Sequence, residues 1–559
     1  MDSVLQFDKG VSRYLKRAAA LCEKEEYLGA LKFLFSAKAL EPDNVDVIAA
    51  LGDVYADMSA LELSNKYWFE FMDKAPKERQ SVAYEELAIN YFYLDNYWAS
   101  SYYFHKKLSV DGFISKEGLS QEIIDFFSGE EIKRTAYRIV YPFDKADYTF
   151  EIKQAKHAIA LGGFEEGASF LEKIPLERRD EETAGELAVC YFMSDRLDEA
   201  EEVCRQSLEQ NGPTVTAFCN LSTVYDMKED FDNSEHYYQK ALKVRKGDTS
   251  EAYKIATCAI EREDHKTASE CLKTILEDRP FEHAMRFFYG LALANLGDLI
   301  SAERELSKAH LIDPEDYAIN FHLNYVKNML DGGGDYLNLT PFKYVKDIPE
   351  TLTEQWKKKI KTLIKTPEKI SSAIKKKEWK EILEWGLKST DSEFMRDCAF
   401  VLSSAFTPYS KGVIFKAMLS PEGREELKRV LIYVTLVNGV KDKFGVVAGG
   451  FYLKVKPRKL LCERDKIFGG LYLSAYALCM SKMAFFDVES LDKIAKNCDK
   501  IYKKFKGEIT DSDATNEDIA ALILSECKFK KYSDDFSVLR IFSVTKDKLT
   551  ALKKTLKGE

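Results

Sequence analysis

Over the first 330 residues, apolar positions recur three and four apart, the spacing that gathers them on one stripe of an α-helix. The stripes come in pairs. In Phe287 to Glu315, FFYGLALANLGDLISAERELSKAHLIDPE, the residues Tyr289, Gly290 and Leu293 share one face of a first helix, and Gly297-Asp298 breaks it. Ala302, Leu306 and Ala309 then line a second helix, and Pro314 ends the unit. Small residues at Gly290 and Ala302 let the two backbones approach, with larger apolar neighbours filling the space around them. The same skeleton returns at a spacing of 34 residues. Counting His283 as the first residue of its unit, earlier units open at Thr249, Val215, Glu181 and, more loosely, Thr149, and three more open at Val11, Val45 and Ser81. A fixed period of this length is the mark of stacked supersecondary units. The pattern predicts an all-α helix-pair solenoid over residues 1–330, with about eight units.

Two stretches depart from it. The interval 111–148 has room for one more unit but lacks the small residues at the right places, so it reads equally as a degenerate repeat or an inserted helix. Residues 317–330, YAINFHLNYVKNML, open a ninth unit or supply the capping helix that a stack needs to avoid exposing an apolar end. Asp331-Gly-Gly-Gly-Asp335 begins a linker over 331–340. Its alternating aspartates faintly suggest a calcium loop, but Phe342 stands where such a loop needs a glutamate.

The second half, 341–559, shows helical spacing without the 34-residue period. Thr366-Pro367-Glu368, Asp391 and Ser420-Pro421-Glu422 read as helix starts. Near 443–455 the period shortens: KFGVVAGGFYLKV is two β-branched and aromatic runs joined through Gly449-Gly450, which predicts one β-hairpin. The tail 516–557 reads as three helices. It weakly resembles a helix-turn-helix or the closing helices of a cyclin-like domain, with Ser543 where that turn usually carries glycine.

Charge sharpens the division. Through Gly333 there are 39 Lys and Arg against 61 Asp and Glu, and from Gly334 onward 43 against 31. The halves carry net charges of −22 and +12, within −10 for the 559-residue chain. The eleven cysteines are scattered with no CxxC pair, which points to reduced thiols in a cytoplasm rather than a disulfide framework or zinc site. No leader pattern opens the chain, and no apolar run suits a membrane span. No phosphate-binding glycine loop, nucleophile elbow or HExxH motif is present, and all seven histidines lie between His105 and His322. Nothing in the sequence calls for a cofactor, a metal or an enzyme's active site.

The 34-residue skeleton resembles the tetratricopeptide repeat (TPR) family, a superhelix of antiparallel helix pairs. The resemblance implies a concave groove lined by the first helix of each unit, at its second, fifth, ninth, twelfth and thirteenth positions. Carried onto this chain, those positions include Ile89, Phe92, Tyr93, His157, Phe192, Met193, Tyr253, Phe287, Leu291 and Asn295, an apolar and aromatic lining with acidic points. The paired Lys and Asn of members that grip a C-terminal carboxylate are missing. The expected function is a non-enzymatic scaffold holding a protein or peptide segment. The alternative is a nucleic-acid-associated regulator acting through the basic half and Lys546, Lys548, Lys553 and Lys554 of the tail. The opposed charges further predict that the basic helices around Lys357 to Lys380 lean on the acidic repeats, helped by Trp356, Trp379 and Trp385.

Overall fold

The computed structural model describes residues 10–94, 96–112, 119–128, 148–160, 162–333, 341–421, 424–456, 458–464, 469–481, 491–505, 513–527 and 544–557, with 337, 339, 538, 539 and 542. It is all-α with one two-stranded sheet. The repeats form two stacks. The first pairs α1 (Val11–Cys22) with α2 (Tyr27–Leu40), α3 (Val45–Asp57) with α4 (Leu61–Lys74), and α5 (Gln80–Tyr93) with α6 (Tyr97–Asp111). A short helix, α7 (Gln121–Ser128), lays Phe126 against Phe92 at 5.1 Å and stacks Phe127 on Phe104 at 4.2 Å. It covers the apolar end of the third pair, the task a terminal cap performs in a solenoid.

A second stack starts a separate core at Tyr148. It pairs α8 (Thr149–Ala160) with α9 (Phe164–Leu171), α10 (Glu181–Met193) with α11 (Leu197–Asn211), and α12 (Val215–Met227) with α13 (Phe231–Val244). The pairs α14 (Thr249–Glu261) with α15 (His265–Asp278) and α16 (His283–Asn295) with α17 (Leu299–Ile312) follow, and then α18 (Tyr317–Leu330) without a second helix. The helices approach closely where the sequence is small. A β-carbon on Gly290 would stand 2.7 Å from Leu306, and one on Gly52 equally close to Trp68. Six of the acids sit at helix starts. Asp180, Asp230, Asp248, Asp264, Asp298 and Asp316 each accept a backbone N–H of the first turn. The first helices α10, α12 and α14 pack on one another in series, whereas the second helices do not, so the first helices form the inside of the curve.

The remaining helices share one large core. Besides the single turn Ile370–Ala373, they are α19 (Glu350–Ile364), α20 (Lys377–Gly386), α21 (Ser392–Ser404), α22 (Pro408–Leu419), α23 (Glu425–Val437), α24 (Gly469–Ser481), α25 (Leu491–Phe505), α26 (Asn516–Glu526) and α27 (Lys546–Lys557). Between α23 and α24 runs the hairpin, β1 (Phe444–Ala448) antiparallel to β2 (Phe451–Val455), with Phe444 opposite Val455 and Ala448 opposite Phe451. Gly449 and Gly450 both take positive φ, 56° and 83°, the twist a two-residue hairpin turn demands. Much of the segment between α26 and α27, on which the helix-turn-helix reading depends, lies outside the described residues.

The halves meet, but the lysines of the basic helices do not carry the contact. Lys357 pairs with Glu354 and Asp391, Lys359 with Glu378, Lys361 with Glu393 and Lys377 with Glu381, all inside the second half. Partners were at hand in the same and neighbouring elements of the second half, so those charges are spent locally. Of the tryptophans, Trp356 reaches the repeats, with its ring 5.7 Å from Tyr317, while Trp385 packs on Trp356 and Phe394. The hairpin instead docks on the first stack. The Tyr103 hydroxyl donates to the Gly450 carbonyl and accepts the Tyr452 N–H, both at 2.8 Å, and Phe451 meets Tyr102 edge-on at 5.0 Å. The first stack also folds back on the last repeats. The Tyr55 hydroxyl donates to the Ile312 carbonyl, Tyr27 packs on Phe281, and Lys66 and Lys416 reach Glu315 from opposite sides at 2.8 and 2.7 Å.

Candidate functional site: the inner face of the second stack

The inner face is partly filled by the chain itself. After the linker, residues 341–348 run without helix or strand over the first helices α16 and α18 and reach the start of α15 at His265, with a turn closed by the Val345 N–H on the Lys343 carbonyl. Phe342 is 2% exposed, seated among Phe287, Leu291, Leu323 and Tyr325, with the Tyr325 ring edge-on at 5.8 Å. Asn295 holds its backbone from both sides: the amide donates to the Phe342 carbonyl at 2.8 Å and accepts the Phe342 N–H. A primary amide carries donor and acceptor together, which matches the two backbone groups of one extended residue.

Three histidines continue the grip. Tyr344 stands 3.0 Å from His265 Nδ1, and burial pushes its phenol up to about 12. Lys346 pairs with Asp316 at 2.9 Å and lies 3.1 Å from His283 Nε2. His322 is buried, which lowers its imidazole to about 4, so it is neutral and donates from Nε2 to the Asp347 carbonyl at 3.1 Å. The sequence carried a signal for this strap, since FKYVKD is more aromatic than a linker needs. Having no helical or alternating period, it offered nothing to place it on the groove.

The residues expected to line the groove therefore differ in what they touch. Phe287, Leu291 and Asn295 engage the strap. Phe92 is buried under α7, and Phe192 is buried in the core of the second stack. Ile89 and Tyr253 are half-buried, with the Arg279 guanidinium 5.7 Å from the Tyr253 ring centre. Tyr93 is 53% exposed and Met193 52%, and Met227 joins Met193 on the next helix at 44%. His157 lies on α8, with its side chain outside the described residues. Around the exposed methionines, Thr223 donates to Glu261, and burial raises the carboxyls of both Glu261 and Glu186. On α27, Lys546 and Lys554 are exposed, while Lys548 donates to the Asp513 carbonyl. Among the described residues no group of three or more His, Cys, Asp or Glu is placed to hold a metal ion, and no helix is long and apolar enough to cross a membrane.

A sequence model described as tetratricopeptide repeat matches residues 180–247, which span α10 to α13. The chain contains tetratricopeptide repeats. Solved structures similar to it include a TPR protein from Parabacteroides merdae, at 13% identity over 57% of this chain and 99% of that one, with a TM-score of 0.27. YrrB, described as a TPR protein with an unusual peptide-binding site, is 19% identical over 33% of this chain and 94% of its own, with a TM-score of 0.22. MamA is 16% identical over 30% of this chain and 93% of its own, with a TM-score of 0.22. At such scores nothing about their ligands transfers to this TPR chain. No curated protein matches the sequence.

Proposed function

We propose that this TPR protein is a non-enzymatic scaffold that holds an extended segment of a partner protein along the inner face of its second stack. One observation carries the reading: that face already holds residues 341–348 of its own chain, gripped at the backbone by Asn295 and anchored by the Phe342 ring. The open portion, from Met193 through Met227 to Tyr253 and Glu261, continues the same surface toward the N-terminal end of the stack. Flexible methionines suit a surface that accepts varied apolar side chains, and its acids favour a ligand with basic positions. The eleven cysteines are all free thiols, which fits work in the reducing cytoplasm.

A photo-crosslinking amino acid placed at Met193, Met227 or Tyr253 in cells tests the proposal. One partner segment should be captured at all three positions, in consistent order along its sequence. Capture that disappears with nuclease treatment, or that arises only from positions on α27, overturns the scaffold reading in favour of nucleic-acid association.

A further inference from the structure

One helix of the second half sorts its charges by side. In α25, Ile494, Cys498, Ile501, Tyr502 and Phe505 are buried in the core. Lys493, Lys496, Lys500, Lys503 and Lys504 are all exposed. At 3.6 residues per turn, the five lysines fall within an arc of roughly 100° opposite the buried face. The two acids of the helix lie at one margin of that arc, and both are already engaged. Asp492 accepts a hydrogen bond from Arg458, and Asp499 accepts the Leu461 N–H at 2.8 Å. Lys500 pairs with Glu526 at 3.2 Å, yet its side chain stays 61% exposed. Lys496, Lys503 and Lys504 make no ion pair among the described residues.

We propose that this row of lysines is a docking surface for the phosphate backbone of a nucleic-acid duplex. From Lys493 to Lys504 the row runs about 16 Å along the helix axis. A duplex carries one charge per 1.7 Å or so of its axis, so that length faces roughly nine phosphates. Arg458 and the exposed Lys459 stand beside the N-terminal end of the row and prolong it.

Three features choose a duplex backbone over other polyanions. The row holds lysines, point charges that meet phosphate oxygens, and no arginine fork to read a base edge. No aromatic ring stands among them for unpaired bases to stack on, since Tyr502 and Phe505 are buried. A helix that lies on a membrane keeps its apolar face for the lipid, and here that face is occupied by the core. Binding should therefore be indifferent to base sequence and steeply dependent on salt.

The row belongs to the half that carries +12 and uses neither the inner face nor the tail lysines of α27, so its test is separate from that of the scaffold. The full-length chain is titrated into a fluorescently labelled duplex of about 30 base pairs, and anisotropy is followed from about 50 to 200 mM salt. Lys496→Gln/Lys503→Gln/Lys504→Gln should weaken binding at least about tenfold at the low salt and make the slope of log affinity against log salt shallower by about 2.7. Lys358→Gln/Lys365→Gln/Lys369→Gln, which removes as many exposed charges from α19 and the turn after it, should leave the slope unchanged, as should Met193→Ala/Met227→Ala. All the substituted lysines are exposed, and circular dichroism checks that each variant keeps the fold. The assignment is overturned by a chain that does not bind the duplex at low salt, by an unchanged slope in the α25 variant, or by an equal loss of slope in the α19 variant. Tighter binding to phosphatidylserine vesicles or to polyglutamate than to the duplex overturns it as well.

Discussion

In seven units the residue that closes the turn between the paired helices is left-handed, with φ between 56° and 84°: Glu25, Ser59, Gly162, Asp195, Glu229, Glu263 and Gly297. Only two of them are glycine. A side chain in this region costs about 1–2 kcal/mol, partly offset by the extra freedom glycine gives the unfolded chain. Glu229→Gly and Glu263→Gly should therefore each stabilise the protein by about 0.5–1 kcal/mol in denaturant titration. A second residue-scale effect concerns protons. Burial, then the charges of Asp53 and Glu85, raise the Glu86 carboxyl to about 7, and burial with Asp57 raises Asp53 to about 6. Both groups hold their protons more tightly folded than unfolded, so stability falls as pH rises from about 4.5 to 7 and stays lower above. Glu86→Gln should add about 1–2 kcal/mol at pH 8 and nothing near pH 4, which thermal denaturation at the two pH values will read.

Among the elements, the strap is the one whose removal has the clearest expected outcome. Phe342→Ala leaves a hole among Phe287, Leu291 and Leu323 and should cost about 3–5 kcal/mol. Amide exchange should rise first in 341–348, before the helices beneath them. The helix pairs themselves were legible in the sequence, because a 34-residue period and small residues at places such as Gly290 and Ala302 follow from the contact each pair must make. The division into two stacks was not: α7 satisfies the third pair with two phenylalanines, and nothing in QEIIDFF distinguishes a cap from half a repeat. Burial of Phe92 and Phe192 escaped for a related reason, since a position on the inner helix says nothing about what the next helix brings over it. Exposed Tyr93 and Met193 could not be told from them by spacing alone.

At the scale of the whole molecule, Glu315 joins three bodies: its own turn, Lys66 of the first stack and Lys416 of α22. Burial opposes its ionisation, but the two lysines outweigh that and hold the carboxyl well below the usual carboxylate range. Its contribution is thus present above about pH 4.5 and lost as pH falls through the lower folded value. Glu315→Ala should destabilise the fold by about 1–3 kcal/mol and loosen the first stack, seen as an increased radius of gyration in small-angle scattering. Added salt alone should not open the wild-type particle. The junction also rests on Tyr55, Tyr103, Phe451 and Tyr452, whose contacts are apolar or hydrogen-bonded and little screened by ions.

That junction also imposes an order in time. Tyr55 waits for a carbonyl 257 residues downstream, and Asp73 receives its hydrogen bond from Tyr452 across 379. A ribosome adding about 5–20 residues per second needs roughly 20–75 s to cover the longer interval. The first repeats to be made are therefore the last to be finished, with aromatic surface bare throughout that wait. They are where a holding chaperone would be expected to bind the nascent chain, and where a product truncated before the hairpin would begin to aggregate.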